Sequence, residues 1–165
     1  MVWKLTAAAA AAAALGCSPA APGGDAGMPA PSAAPTAAAF DVGPVKTAEE
    51  YLAEPAFAAA DLERGEVLSL ACVACHTFRA GEPALLGPNL SGVFGRRAAT
   101  DEDFEYSQAL RDARLTWTPR ALDAWLANPS SFVPGTSMVF AGLSSAEDRR
   151  DLIAYLLRET QTPAE

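Results

Sequence analysis

The chain has 165 residues, half of them apolar in type, a formal net charge of −8 and only 12 lysines and arginines. With so few cations there is no basic patch to meet phosphates, which excludes nucleic acid as a partner and excludes direct electrostatic binding to anionic lipid. Much of the apolar fraction is alanine in the opening "AAAAAAAALGCSPAAPGGDAGMPAPSAAPTAAA", which cannot fill a core, so the foldable part is a single domain of roughly 100 residues.

Residues 1–16, "MVWKLTAAAAAAAALG", read as an export signal, because Lys4 precedes an apolar run too short to span a bilayer. The run ends in "ALGC", which resembles a bacterial lipobox, whose cysteine is acylated and becomes the first mature residue. Leu15 stands one place closer to Cys17 than the usual pattern has it, and ordinary cleavage at a nearby small residue is the alternative. Either reading exports the chain and leaves no transmembrane helix. Residues 18–60 are expected to be a Pro/Ala-rich flexible tether and residues 61–160 the folded domain. A tether of about 40 residues reaches ~35 Å as a coil, enough to hold the domain near a membrane while it moves between partners.

"DLERGEVLSLACVACH" predicts a helix running into a cysteine cluster, with Gly65 marking a close helix contact. "GEPALLGPNLSGVFGRR" is broken by glycine and proline and predicts a loop. "EYSQALRDARL" predicts a short helix. "TPRALDAWLANP" predicts a helix with Thr118 as N-cap, Pro119 in the first turn and a stop at Asn128-Pro129. Leu122, Trp125 and Leu126 recur at i, i+3, i+4 and give it one buried stripe. "SSAEDRRDLIAYLLRE" opens with Ser144 and Glu147 in capping-box spacing, and Leu152, Tyr155 and Leu156 repeat the stripe. No strand is predicted, so the fold class is all-α, with long loops.

"ACVACHTF", residues 71–78, holds two of the three cysteines and the only histidine. A thioredoxin-like dithiol needs a βαβ setting, whereas the flanking pattern is helical. A structural zinc site needs four N/S ligands, and Cys72, Cys75 and His76 supply three while Cys17 lies beyond the tether. What remains is covalent c-type haem: two thioethers on the macrocycle edge and the adjacent imidazole on the iron. Of the three methionines, Met1 belongs to the signal and Met28 to the tether. Met138, in the Pro/Gly-rich "FVPGTSMVF", is left as the candidate for the second axial position; the bland alternative is a methionine filling a gap in the core.

In order along the chain, "CVACHTF", "GPNLSGVFGR", "LTW", "NPSSFVPGTSMVFAG" and "RRDLIAYL" together resemble class I cytochrome c, in its mitochondrial-like and bacterial c2-like branch, from about residue 61 to 158. The resemblance implies the class I cytochrome c fold, several short helices and long loops wrapped around one covalently bound haem. It implies thioether bonds at Cys72 and Cys75, and His76 and Met138 as axial metal ligands. It further implies that the carbonyl of Pro88 accepts the other N–H of His76, and that Arg96, Tyr106 and Trp117 contact the haem propionates. Thr136 would belong to the same polar network, Trp125 would line the Met side where the family usually has tyrosine, and Gly65 and Tyr155 would mark the crossing of the first and last helices.

A haem with both axial positions filled by protein has no room for a substrate. The function implied is therefore a periplasmic one-electron carrier and not an enzyme. It would run from a quinol-oxidising complex to a terminal oxidase or reaction centre, as a monomer whose partners are redox proteins of a respiratory or photosynthetic chain. Its location would be the periplasm, anchored to a membrane through lipid on Cys17. The rivals are a dedicated electron acceptor of one periplasmic dehydrogenase, and a haem peroxidase or gas sensor whose Met138 is labile. Familiar members carry a lysine ring at the haem edge; here Leu70, Ala71, Val73, Ala74, Ser137, Val139, Phe140 and Ala141 flank the motifs, an apolar and nearly uncharged set. The run Asp101, Glu102, Asp103, Glu105 reads as a solvated loop.

Overall fold

A computed structural model describes Ala37 and residues 40–161; the signal, Cys17 and Met28 fall outside the described residues. Seven helices form among those residues: α1 (Ala48–Leu52), α2 (Pro55–Ala58), α3 (Leu62–Val73), α4 (Gln108–Asp112), α5 (Pro119–Ala127), α6 (Pro129–Phe132) and α7 (Ala146–Glu159). Extended pairing among them is limited to one antiparallel bridge, Arg97 to Thr116. None of the described helices is long and apolar enough to cross a membrane.

Each predicted helix forms for a local reason. Asp61 caps α3 by accepting from the Arg64 N–H at 2.9 Å. Thr118 caps α5 by accepting from the Ala121 N–H at 3.2 Å, with Pro119 in the first turn as expected. At Asn128 the predicted stop becomes a restart. Its Oδ1 accepts from the Ser131 N–H at 3.0 Å and caps the single-turn α6. The cap of α7 falls one residue later than predicted, on Ser145, whose Oγ accepts from the Asp148 N–H at 3.1 Å. Ser144 is held outside the helix, its carbonyl accepting from Arg149 Nη1 at 3.0 Å while Arg149 Nε donates to Asp123 Oδ1 at 2.7 Å.

The predicted stripe of α7 is too narrow. Leu152, Ile153, Ala154, Leu156 and Leu157 are all buried, and Tyr155 only partly so. The helix is in contact with α3 and also with α1, α2 and α5, so it presents more than one face to the core. Removing a leucine or isoleucine side chain of this kind from water is worth about 2 kcal/mol.

The tether was expected to run to residue 60; the structure corrects this. Thr47 and Glu50 form a reciprocal capping box, Thr47 Oγ1 accepting from the Glu50 N–H at 3.2 Å and Glu50 Oε2 accepting from the Thr47 N–H at 2.7 Å. Tyr51 is buried, and its hydroxyl donates to the Pro44 carbonyl at 2.7 Å. Thr118 Oγ1, itself buried, donates to the Val42 carbonyl at 2.7 Å. Residues 40–60 are thus a strap laid on α5 and α7, fixed by apolar burial and by backbone groups that find partners.

The tightest point is the crossing of α3 and α7. A Cβ on Gly65 would collide with the Asp151 carbonyl oxygen and lie 2.8 Å from the Tyr155 Cβ. Asp151, also at the crossing, is buried with its charge paired: Oδ1 accepts from the Asp61 N–H at 3.1 Å and from Arg150 Nη2 at 2.7 Å. Gly65→Ala is expected to cost about 2 kcal/mol through forced separation of the helices, read as a lower denaturation midpoint. A variant as stable as the parent would contradict the crossing.

Candidate functional site

The site begins where α3 ends. After Val73 the backbone turns tightly, with the N–H groups of Cys75 and His76 both donating to the Cys72 carbonyl, at 3.0 and 2.9 Å. That turn gathers two thiols and one imidazole at a helix terminus. Both cysteines are free thiols and partly buried. Burial pushes the Cys72 thiol up to about 11, with Cys75 beside it adding to the effect, so Cys72 stays protonated at neutral pH.

The following loop folds back over His76. The Gly87 N–H donates to the Cys75 carbonyl at 2.8 Å, and the Leu90 N–H to the Thr77 carbonyl at 2.8 Å. His76 Nδ1 lies 2.8 Å from the Pro88 carbonyl oxygen, the contact expected from the sequence. A carbonyl can only accept, so Nδ1 carries the proton, and in the neutral ring Nε2 then has a free lone pair. Burial lowers the His76 pKa below its usual value, with the Pro88 bond opposing it, which keeps the ring neutral near physiological pH. A neutral imidazole tied at one nitrogen and open at the other is the form that binds a metal.

Two residues of this clamp were not singled out in the sequence. Gly87 sits against the imidazole itself: a Cβ there would collide with His76 Cε1 and lie 2.7 Å from Nδ1. Asn89 organises the loop, its side-chain amide donating to Thr77 Oγ1 at 2.8 Å and to the Arg79 carbonyl at 2.8 Å, while its Oδ1 accepts from the Ser91 N–H at 2.7 Å. The "GPN" triplet carried both signals, a glycine where backbone meets a ring and an amide where a loop needs several partners.

Met138 is partly buried against the core cluster, on the loop that leaves α6. Its N–H donates to Thr136 Oγ1 at 3.3 Å, and the Thr136 N–H donates to the Val133 carbonyl at 3.1 Å. Trp117 and Trp125 are both buried and meet edge to face, with ring centroids 5.4 Å apart. Tyr106 is partly buried, its ring edge-on to Phe104 at 4.9 Å; burial raises its pKa, and the nearby Arg96 charge pulls it back down. The Arg96 guanidinium donates to the carbonyls of Asn89 at 2.8 Å and Ser91 at 3.2 Å, which joins it to the His76 loop. Of the expected set, His76 and Pro88 are bonded directly, Thr136 and Met138 are bonded directly, and Arg96 reaches Pro88's neighbour Asn89.

These residues fit a haem: two thiols in a fixed turn, a neutral imidazole with an open Nε2, a half-buried thioether, and aromatic and cationic groups with donors to spare for carboxylates. Hydrophobic side chains stand exposed beside the same motifs. Leu70 and Val73 point outward from α3, and Val139, next to Met138, is fully exposed.

The cytochrome c family model matches residues 62–159. A cytochrome c of Chlamydomonas reinhardtii is 46% identical over 103 residues, which is 62% of this chain and 92% of the relative. One from Cannabis sativa is 41% identical over 101 residues, 61% of this chain and 91% of the relative. One from Trypanosoma brucei brucei is 54% identical over 71 residues, 43% of this chain and 76% of the relative.

Gly87→Ala forces the imidazole off the Pro88 carbonyl. The share of chains carrying covalently bound haem is expected to fall roughly tenfold, in line with the loss of an outer-sphere bond to a metal-binding histidine. Unchanged loading, measured as haem absorbance per polypeptide, would contradict the clamp.

Proposed function

The chain belongs to the cytochrome c family, whose members bind one covalently attached haem c and carry electrons without acting as enzymes, and on that premise we propose that it is a periplasmic one-electron carrier tethered to a membrane. The bound haem supplies a single-electron couple. Everything else is the work of the polypeptide, which holds the couple, sets its potential and presents it to partners. Cys72 and Cys75 would anchor the macrocycle through thioethers, and His76 and Met138 would hold its iron. Methionine as the second ligand raises the potential, and enclosure by apolar side chains acts in the same direction. Tyr106 and Trp117 would supply donors to the propionates. Arg96, with two of its donors already on loop carbonyls, contributes its charge to the same region, and Thr136 orders the loop backbone before Met138.

The observation that carries this reading is the His76 clamp, a neutral imidazole fixed through Nδ1 at 2.8 Å from Pro88 and free at Nε2, beside two thiols. The route from a quinol-oxidising complex to a terminal oxidase or reaction centre follows by analogy with the family. The tether and the location are supported by the sequence: a short apolar run, the "ALGC" stretch ending in Cys17, and a Pro/Ala/Gly-rich segment after it.

Beside the site, Leu70, Val73 and Val139 are exposed where a steered carrier would place cations. Docking through such a face depends on apolar contact and on the local concentration that a tether provides. The reduced, haem-loaded chain, added to membranes of its source, is expected to be oxidised rapidly and to stop when a terminal-oxidase inhibitor is present. Between roughly 20 and 200 mM salt the rate is expected to change less than about twofold, because screening has little to act on. Oxidation indifferent to the inhibitor would remove the oxidase from the route, and a steep fall with salt would replace the apolar face with a charged one.

A further inference from the structure

The strap precedes the residues matched by the family model, 62–159, and so adds contacts that the family domain does not itself supply. Its first aromatic residue is Phe40. The ring meets Phe132 edge to face, with centroids 5.1 Å apart and planes at 90°, and the Arg120 guanidinium lies over it at 5.4 Å. Phe132 is the last residue of α6 and is buried, as is Val133 after it. From there the backbone runs directly to Met138. The Val133 carbonyl accepts the Thr136 N–H at 3.1 Å, and Thr136 Oγ1 accepts the Met138 N–H at 3.3 Å.

The far side of this loop has its own attachment, since the Leu143 N–H donates to the Leu126 carbonyl at 2.8 Å, on α5. The near side rests on α6, a single turn, and an isolated turn holds itself weakly. What fixes α6 is its cap at Asn128 and the packing of Phe132, of which Phe40 forms one wall. Phe40 in turn is secured just downstream, where Thr118 Oγ1 donates to the Val42 carbonyl at 2.7 Å.

We propose that the strap is a buttress for the methionine loop, with Phe40 as a positioning residue that acts through Phe132 to hold Met138 in place. The inference rests on the reading of Met138 as the second axial ligand. Loss of the Phe40 ring should let the near side of the loop open more often while the crossing of α3 and α7 stays intact.

The test uses the full haem-loaded chain and two variants, Phe40→Ala and Phe40→Leu, with Phe57→Ala as a control elsewhere on the strap. Amide hydrogen exchange reads the loop directly. In Phe40→Ala the Thr136 and Met138 amides are expected to exchange about tenfold faster, while the amides of Leu152 to Leu157 in α7 keep the parent rate. Phe40→Leu should recover most of the protection, and Phe57→Ala should leave both loop amides as they are. The sulfur-to-iron charge-transfer absorption of the oxidised protein is expected to fade at a lower temperature in Phe40→Ala than in the parent. Unchanged exchange at Thr136 and Met138, or equal acceleration in the loop and in α7, would overturn the buttress. Absence of that absorption from the parent would instead overturn the ligand reading, and with it the role of the buttress in holding a ligand, whatever the exchange shows.

Discussion

Where α3 passes α7 there is room at residue 65 for a hydrogen atom and nothing larger. That close approach fixes two helices that are far apart in sequence, and most of the structure is arranged around it. It buries Asp151, whose carboxylate holds the first N–H of the turn before α3, so the start of one helix is tied to the middle of the other. At the C-terminal end of α3 the backbone then turns and gathers Cys72, Cys75 and His76. The same α7 then offers its remaining faces to α5, α1 and α2. A site built on loops gains its rigidity from this pair of helices.

The loop over His76 shows how weak individual terms combine into one defined state. Burial alone favours a neutral imidazole but leaves its orientation and tautomer open. The Pro88 carbonyl selects the tautomer, the missing side chain of Gly87 lets the backbone approach the ring, and Asn89 holds the loop that carries both. Each hydrogen bond is worth about 1 kcal/mol net, yet their joint effect is to leave a single nitrogen exposed for a metal. Met138 lies on a loop held at both ends, by the Leu143 N–H on the Leu126 carbonyl of α5 and by Phe132 of α6 packed against Phe40 of the strap.

Most of this was legible in the sequence, for reasons that can be named. Thr118 as a cap and the helix running into Cys72 follow rules that operate within one or two turns, and the cysteine-histidine cluster is chemically specific. What escaped was decided by partners distant in sequence. Ser144 and Ser145 are equally good caps on local grounds, and the choice falls to Arg149, which is drawn to Asp123 on α5 and takes the Ser144 carbonyl on the way. The strap was lost inside a Pro/Ala-rich stretch because helices of four and five residues show no periodicity, although Thr47 and Glu50 carried the capping signature. Gly87 and Asn89 belong to a quoted triplet, but only the folded loop shows that one faces a ring and the other ties its own loop to Thr77 and Arg79.

The account turns on the proposal that His76 and Met138 together close the haem iron to outside ligands. The most direct test is carbon monoxide binding to the reduced, haem-loaded chain, compared with Met138→Ala. A closed carrier should resist the gas under conditions in which the variant takes it up readily. If the parent binds as readily as Met138→Ala, the methionine does not close the iron, and the protein is an open haem protein on a cytochrome c scaffold instead of a carrier.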